Sequence, residues 1–227
     1  MKTIKIIPLF LAIFFSVSIT AQNDGEMRTL FAPKSDKKIS HGGYGSFNIG
    51  YTQIENKDAI VIGGRAAWIA NHRFALGLAG YGFFNSINKD YSHYDDPSSY
   101  FLTGGYGGIF FEPIVMPPHP VHVSFPILLG VGGVTAMRSQ DWTSSNYHHD
   151  VNYYDSDAFM VFEPGVDIEF NIVKFFRLSL GASYRFTNGI NLAYKYLDAD
   201  YVEQTVFVDK NALDNFTVNV GFKFGWF

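Results

Sequence analysis

Residues able to do chemistry fall into two groups in this chain. The first gathers imidazoles and carboxylates: His93, Asp95 and Asp96; His148, His149 and Asp150; Asp198, Asp200 and Glu203. Converging groups of this kind ligate metals. None of these spacings matches a metal motif, so solvated loop residues are the plainer reading and no metal or other cofactor is expected. Ser139 with His148 or His149 is the nearest approach to a nucleophile and its base, again without a motif. The second group sits in another context. Arg65, Arg177, Arg185 and Lys223, with Glu163, Asp167 and Glu169, lie in stretches whose character alternates residue by residue. Confined together, four cations and three carboxylates would pair, because an unpaired buried charge is costly.

The alternation defines the elements that carry this second group. In Phe175 to Asn188, Phe176, Leu178, Leu180, Ala182, Tyr184 and Phe186 take every second place, and Arg177, Ser179, Gly181, Ser183, Arg185 and Thr187 take the others. A period of two marks a strand with unlike faces. Eight such strands are expected, near 42–54, 59–69, 74–85, 99–111, 121–136, 157–170, 175–188 and 215–227. Residues 191–208 alternate weakly, which keeps ten strands open. Pro126 and Pro164 fall inside strands, where proline deletes a ladder hydrogen bond, so bulges or shifted boundaries are expected there. The links after the second, fourth and sixth strands are short. Those after the third, fifth and seventh are long and polar, while the first link is short and breaks the rule.

Composition narrows the class. Of 227 residues, 18% are aromatic, with 23 Phe and 14 Tyr, and 22 are Gly. Cysteine is absent, which excludes disulfides and lipidation through an N-terminal Cys. The net charge of −4 argues against a nucleic-acid partner. Lys2 and Lys5 precede an apolar run from Ile6 to Ile19 that ends at Thr20-Ala21-Gln22. This has the form of a secretory signal peptide over residues 1–21, a retained anchor being the alternative. Residues 22–40 are polar and read as a flexible periplasmic lead-in, with the barrel over 41–227. The glycine-rich runs "GGYGSFNIG", "TGGYGGIF" and "GVGGVT" fit neither G-x-G-x-x-G nor a P-loop. Close packing or curvature explains them better.

Volume decides which face is out. An eight-stranded barrel is just wide enough for side chains to fill it. The large Phe, Leu, Ile and Val sets are too bulky for that lumen, whereas the Gly, Ala, Ser, Asn and Thr sets with a few charges fit. The large residues are therefore expected to face lipid, which demands a closed ladder. Trp68, Trp226, Tyr51, Tyr100 and Phe170 fall near strand ends, as interfacial girdles do. Alternating short and long links on an even-stranded antiparallel sheet match an outer-membrane barrel, with short turns periplasmic and long loops outside.

The stretch "FMVFEPGVDIEFNIVKFFRLSLGASYRFTNGI" (Phe159 to Ile190), with "HVSFPILLGVGG" (His122 to Gly133), resembles small outer-membrane β-barrel proteins of the Bacteroidetes type. The resemblance implies the fold and the location and little about activity. Phe227 is similar to the C-terminal aromatic read by the barrel-assembly machinery, although Phe222, Phe224 and Trp226 hold the apolar phase and Phe227 falls one residue beyond it. "FEPIV" (Phe111 to Val115) and "FEPGV" (Phe162 to Val166) hint at hairpin repetition, with Glu112 and Glu163 in like places.

The expectation is a non-enzymatic outer-membrane barrel with a structural or surface-interaction role. Its lumen is closed by paired charges, and its loops are offered to an extracellular glycan or protein. A narrow pore for small solutes is the second reading, and a rim-located lipid hydrolase the third.

Overall fold

In a computed structural model, residues 40–85, 100–117, 119–138, 155–197 and 202–227 are described. The strands are β1 (His41–Ile54), β2 (Lys57–Ala70), β3 (Phe74–Phe84), β4 (Tyr100–Val115), β5 (Val121–Ser124), β6 (Ile127–Arg138), β7 (Asp155–Val173), β8 (Phe176–Thr187), β9 (Ala193–Leu197), β10 (Glu203–Phe207) and β11 (Asn215–Trp226). Every neighbouring pair is antiparallel, and β11 pairs with β1 through ten registered residues, from Gly43 opposite Trp226 to Thr52 opposite Thr217. The sheet closes on itself and leaves no edge.

The ring has eight staves. β5 and β6 make one of them, interrupted at Phe125-Pro126, because both lie on β4 and on β7 in an unbroken register: Ser124 faces Asp167 and Ile127 faces Pro164. The break satisfies the backbone around Pro126, whose missing N–H would otherwise interrupt the ladder. Phe125 N–H donates to the Pro113 carbonyl at 3.0 Å, and Gly165 N–H donates to the Pro126 carbonyl at 2.8 Å. β7 also carries an irregularity at Asn171 and Val173. The weak alternation in residues 191–208 belongs to β9 and β10, which pair only with each other and stand outside the ring.

The short links 71–73, 116–120 and 174–175 share one end of the barrel. The opposite end carries the links 85–99, 139–154 and 188–214, together with the two-residue turn at Glu55-Asn56. Both turn residues have positive φ, 54° and 58°. Two left-handed residues in succession form the hairpin turn whose twist matches the strands it joins.

The large apolar residues face outward. Leu78 is 65% exposed, Val131 64% and Trp226 84%. The interior differs in part from the small, polar set expected. Tyr44, Phe83, Tyr106, Phe110 and Phe159 point inward and are buried, with Val61, Leu102 and Leu128. Inward-facing glycines accommodate them. A Cβ on Gly63 would lie 2.4 Å from the Tyr81 ring, and one on Gly132 would lie 2.5 Å from the Phe159 ring. The inward glycines thus leave lumen space that aromatic rings, and not only small polar residues, occupy. Residues 1–39, on which the signal-peptide and most of the lead-in expectation falls, lie outside the described residues.

Candidate functional site: a charged lumen

Inward positions near the short-link end bring together Lys223 from β11, Glu112 from β4, His122 and Ser124 from β5, Asp167 and Glu169 from β7, Arg177 from β8 and Arg65 from β2. Lys223 sits at the centre. Its Nζ lies 2.7 Å from Glu112 Oε1 and 2.6 Å from Glu169 Oε1. Ser124 Oγ bridges the same two carboxylates at 2.8 Å and 2.7 Å. Glu169 Oε2 is 3.0 Å from His122 Nε2 and 3.3 Å from Arg177 Nη1. Arg65 reaches Asp167 Oδ2 at 2.8 Å and donates through Nε to Tyr81 Oη at 2.6 Å. Tyr44 Oη donates to Glu112 Oε2. Each carboxylate in this group meets at least one cation. Glu112 is 0% exposed and Lys223 1%. With water excluded, attraction between such pairs is screened far less than at a surface.

Phe227 closes the group from the short-link end. The alternation of β11 sends Phe224 and Trp226 outward, and the chain then turns the next ring in. The Arg177 guanidinium carbon lies 3.8 Å from the Phe227 ring centroid, and the Tyr44 ring is 6.0 Å from it. A guanidinium over an aromatic face is attracted by the ring quadrupole. The phase slip seen in the sequence thus places Phe227 beside the lumen charges, apart from the outward set of Phe222, Phe224 and Trp226.

Two of the seven expected charges lie elsewhere. Arg185 Nε donates to the Leu213 carbonyl at 2.7 Å, and its guanidinium carbon is 5.3 Å from the Tyr106 ring and 5.6 Å from the Phe83 ring. Glu163 Oε1 accepts from Ser183 Oγ at 2.6 Å. Both belong to the middle and long-link end of the lumen. Above them the two flanks of the 188–214 link contribute buried side chains. Ile190, Leu192, Val208 and Leu213 are buried, and Val208 N–H donates to the Leu192 carbonyl at 2.9 Å. Asp157 and Asp155 pin this segment through the N–H groups of Asn191 and Ala193, at 2.7 Å and 2.8 Å.

Sequence reasoning missed Tyr44, Glu112, His122 and Ser124. Glu112 had a signal. Four cations against three carboxylates leave one positive charge over, and the FEPIV/FEPGV match had already marked Glu112. With it, among the described residues, the spanning part of the lumen holds four carboxylates (Glu112, Glu163, Asp167, Glu169) and four cations (Arg65, Arg177, Arg185, Lys223). The loop clusters at His93, Asp95 and Asp96, at His148, His149 and Asp150, and at Asp198 and Asp200, with Ser139, lie outside the described residues.

No protein-family model matches this chain, and no curated protein does. Solved structures with a similar chain path include Neisserial surface protein A, at 8% identity and TM-score 0.48, covering 83% of this chain and 99% of that one. The N-terminal β-barrel domain of Pseudomonas aeruginosa OprF is similar at 9% identity and TM-score 0.45, covering 81% and 97%. The attachment invasion locus protein Ail of Yersinia pestis is similar at 10% identity and TM-score 0.41, with the same coverage. The chain is an antiparallel up-and-down barrel of eight staves. That assignment rests on the closed hydrogen-bonded ring rather than on these distant likenesses.

Proposed function

We propose that this chain is a bacterial outer-membrane β-barrel with a closed lumen, acting as a structural or surface-interaction protein and not as an open channel or an enzyme. One observation carries the reading: the exterior of a closed eight-stave ring is apolar, while Lys223, Arg65 and Arg177 pair inside with Glu112, Asp167 and Glu169. Lipid is the solvent that favours this inversion, since water would meet exposed Leu, Ile, Val and Phe on every stave. Trp226 and Trp68 both lie level with Gly43 at the short-link end, as residues of an interfacial girdle would. Short links then face the periplasm and long ones the exterior, where a glycan or protein ligand would meet them. The barrel-assembly machinery would read the outward Phe222, Phe224 and Trp226 with Phe227. A signal peptide over residues 1–21 accounts for export. The finer grouping with Bacteroidetes-type barrels rests on the resemblance of residues 159–190 and 122–133 alone.

The pore reading draws on a small mid-lumen cavity between Arg65, Tyr81, Tyr106, Glu163, Thr217 and Asn219. Charges on one side and apolar rings on the other close it off. Membrane fractionation with heat-modifiable gel mobility tests the location, and planar-bilayer recording tests the closure. The protein is expected in the outer-membrane fraction, with a mobility shift on boiling and no steady current. Recovery as a soluble periplasmic protein would refute the location, and a sustained open current would refute the closed lumen.

A further inference from the structure

The short-link end of the ring displays one sign of charge. Each of its links holds a basic residue: His72 and Arg73 in 71–73, His119 in 116–120 and Lys174 in 174–175. His41, opposite Ala70 at the start of β1, adds a further imidazole. All five residues are exposed. None of these links contains Asp or Glu, and Arg73 and Lys174 form no ion pair among the described residues. Glu112 and Glu169, on the flanking strands, are buried and held by Lys223. The opposite end is mixed in sign: Lys57 Nζ lies 3.8 Å from Glu55 Oε2, and Lys210 follows Asp209.

The backbone under these residues is fixed. Asn71 and His72 have positive φ, 52° and 59°, as in a two-residue hairpin turn. Asn71 N–H donates to the Ser40 carbonyl at 2.8 Å, and Ile114 N–H donates to the Arg73 carbonyl at 2.7 Å. Asn171 Nδ2 donates to the His119 carbonyl at 2.8 Å, and Asn171 N–H to the Pro120 carbonyl at 2.8 Å. Each of the first two basic links is thereby tied to a neighbouring strand.

Placement decides the partner. The basic groups border the outward apolar surface: exposed Phe175 follows Lys174, exposed Met116 shares a link with His119, and the His41 ring stacks on Trp68 at 5.6 Å. They are spread from β1 round to the β7–β8 link instead of being gathered in one patch. A protein docking from one side would meet a few of them, whereas a lipid leaflet surrounds the ring and meets all. Lys and Arg lay their stems on apolar surface and carry their charge to the polar layer beyond it. A positive collar at that level favours a phosphodiester that has no ammonium group to compensate it.

We propose that the short-link end is a collar selective for anionic phospholipids, in which Arg73 and Lys174 supply the charge and His41, His72 and His119 supply further N–H donors to the headgroup phosphates. The inference rests on the membrane reading of the ring and goes beyond it by naming the lipid and the residues that select it.

The test uses the full chain refolded into phosphatidylcholine vesicles that contain a trace of spin-labelled phosphatidylglycerol or spin-labelled phosphatidylcholine. Electron spin resonance reads the fraction of each label that is motionally restricted by the protein. The expected preference for phosphatidylglycerol is about twofold, and 1 M NaCl removes it. Arg73→Gln with Lys174→Gln brings the two lipids to parity, while Lys57→Gln with Lys210→Gln at the other end leaves the preference intact. Heat-modifiable mobility checks the folding of each variant, and the salt comparison on the wild type stands even where a variant fails to fold. Equal restriction of both lipids by the wild type, or a preference that survives salt, would overturn the collar while sparing the membrane reading. So would loss of the preference in the Lys57/Lys210 variant alone. No restricted fraction for either lipid would overturn the membrane reading itself. Co-sedimentation with purified peptidoglycan that depends on Arg73 and Lys174, without any lipid preference, would assign the collar to the cell wall and equally overturn the proposal.

Discussion

Lys223 carries more of the lumen's charge balance than any other residue. It lies within 4 Å of Glu112, Asp167 and Glu169. Lys223→Met keeps the stem and removes the charge, leaving Arg65, at 3.9 Å, as the one cation near Glu112 among the described residues. Breaking a buried pair by removing one partner costs about 3–5 kcal/mol. Urea unfolding in micelles is expected to show a loss of that size, and a loss under 1 kcal/mol would mean the group is wetter than its burial indicates. A second residue gives a pH signature outside the span. Burial raises the Glu55 carboxyl above its ordinary value; Lys57 opposes the shift and Asp209 adds to it. A raised acid binds its proton more tightly when folded. Its contribution is therefore greatest below the ordinary carboxylate range and is lost as pH rises through the raised value. Because Glu55 N–H donates to the Ala212 carbonyl at 3.2 Å, protection of that amide, corrected for intrinsic exchange, should fall from pH 4 to pH 7. Glu55→Gln should remove the dependence, and equal protection at both pH values in the wild type would contradict it. The inward charges of this group could be read from strand phase. His122 and Ser124 could not be assigned a role, because their partner Glu169 lies 47 and 45 positions away and only the register brings them together.

Periodicity made the strands legible because each has one lipid-type face, and a one-residue slip would turn that whole face inward. Glycine occurs on both faces of β4, at inward Gly104 and Gly108 and outward Gly105 and Gly107, which blurs its alternation. Inward Gly104 and Gly108 relieve crowding, as a Cβ on Gly104 would lie 2.8 Å from the Phe83 ring and one on Gly108 would lie 2.1 Å from the Leu129 carbonyl. Outward Gly80, on β3, has open space beside it. The two kinds of position predict opposite responses. Gly63→Ala pushes a methyl to 2.2 Å from the Gly80 carbonyl and onto Tyr81, and overpacking of this sort costs about 1–3 kcal/mol. Gly80→Ala should change unfolding free energy by less than about 0.5 kcal/mol, as surface substitutions do. Equal effects from the two variants would contradict the inward nesting of aromatics on glycine. Alternation in residues 191–208 belongs to the β9–β10 hairpin, and a period of two is the same for a ring stave and for a hairpin standing outside the ring.

The ring as a whole inverts the usual arrangement of a soluble protein, and that inversion organises every smaller feature: paired charges within, aromatics on glycine beds, and outward Leu, Ile and Val. Closure through β1 and β11 could be inferred from the demand that no ladder group meet hydrocarbon unpaired, and the registered pairs from Gly43 to Thr52 meet it. The burial of Ile190, Leu192, Val208 and Leu213 at the long-link end could not, because the weak alternation of that link does not say which way its flanks fold. The chain lacks cysteine, so single spin labels report without background. Labels at Leu78→Cys, Val131→Cys and Ile168→Cys in liposomes test the inversion most directly, through collision rates with oxygen, which concentrates in lipid, and with a water-soluble nickel chelate. All three sites should collide freely with oxygen and be shielded from nickel. Labels open to nickel and shielded from oxygen would place the apolar face in water, and the membrane assignment would be wrong.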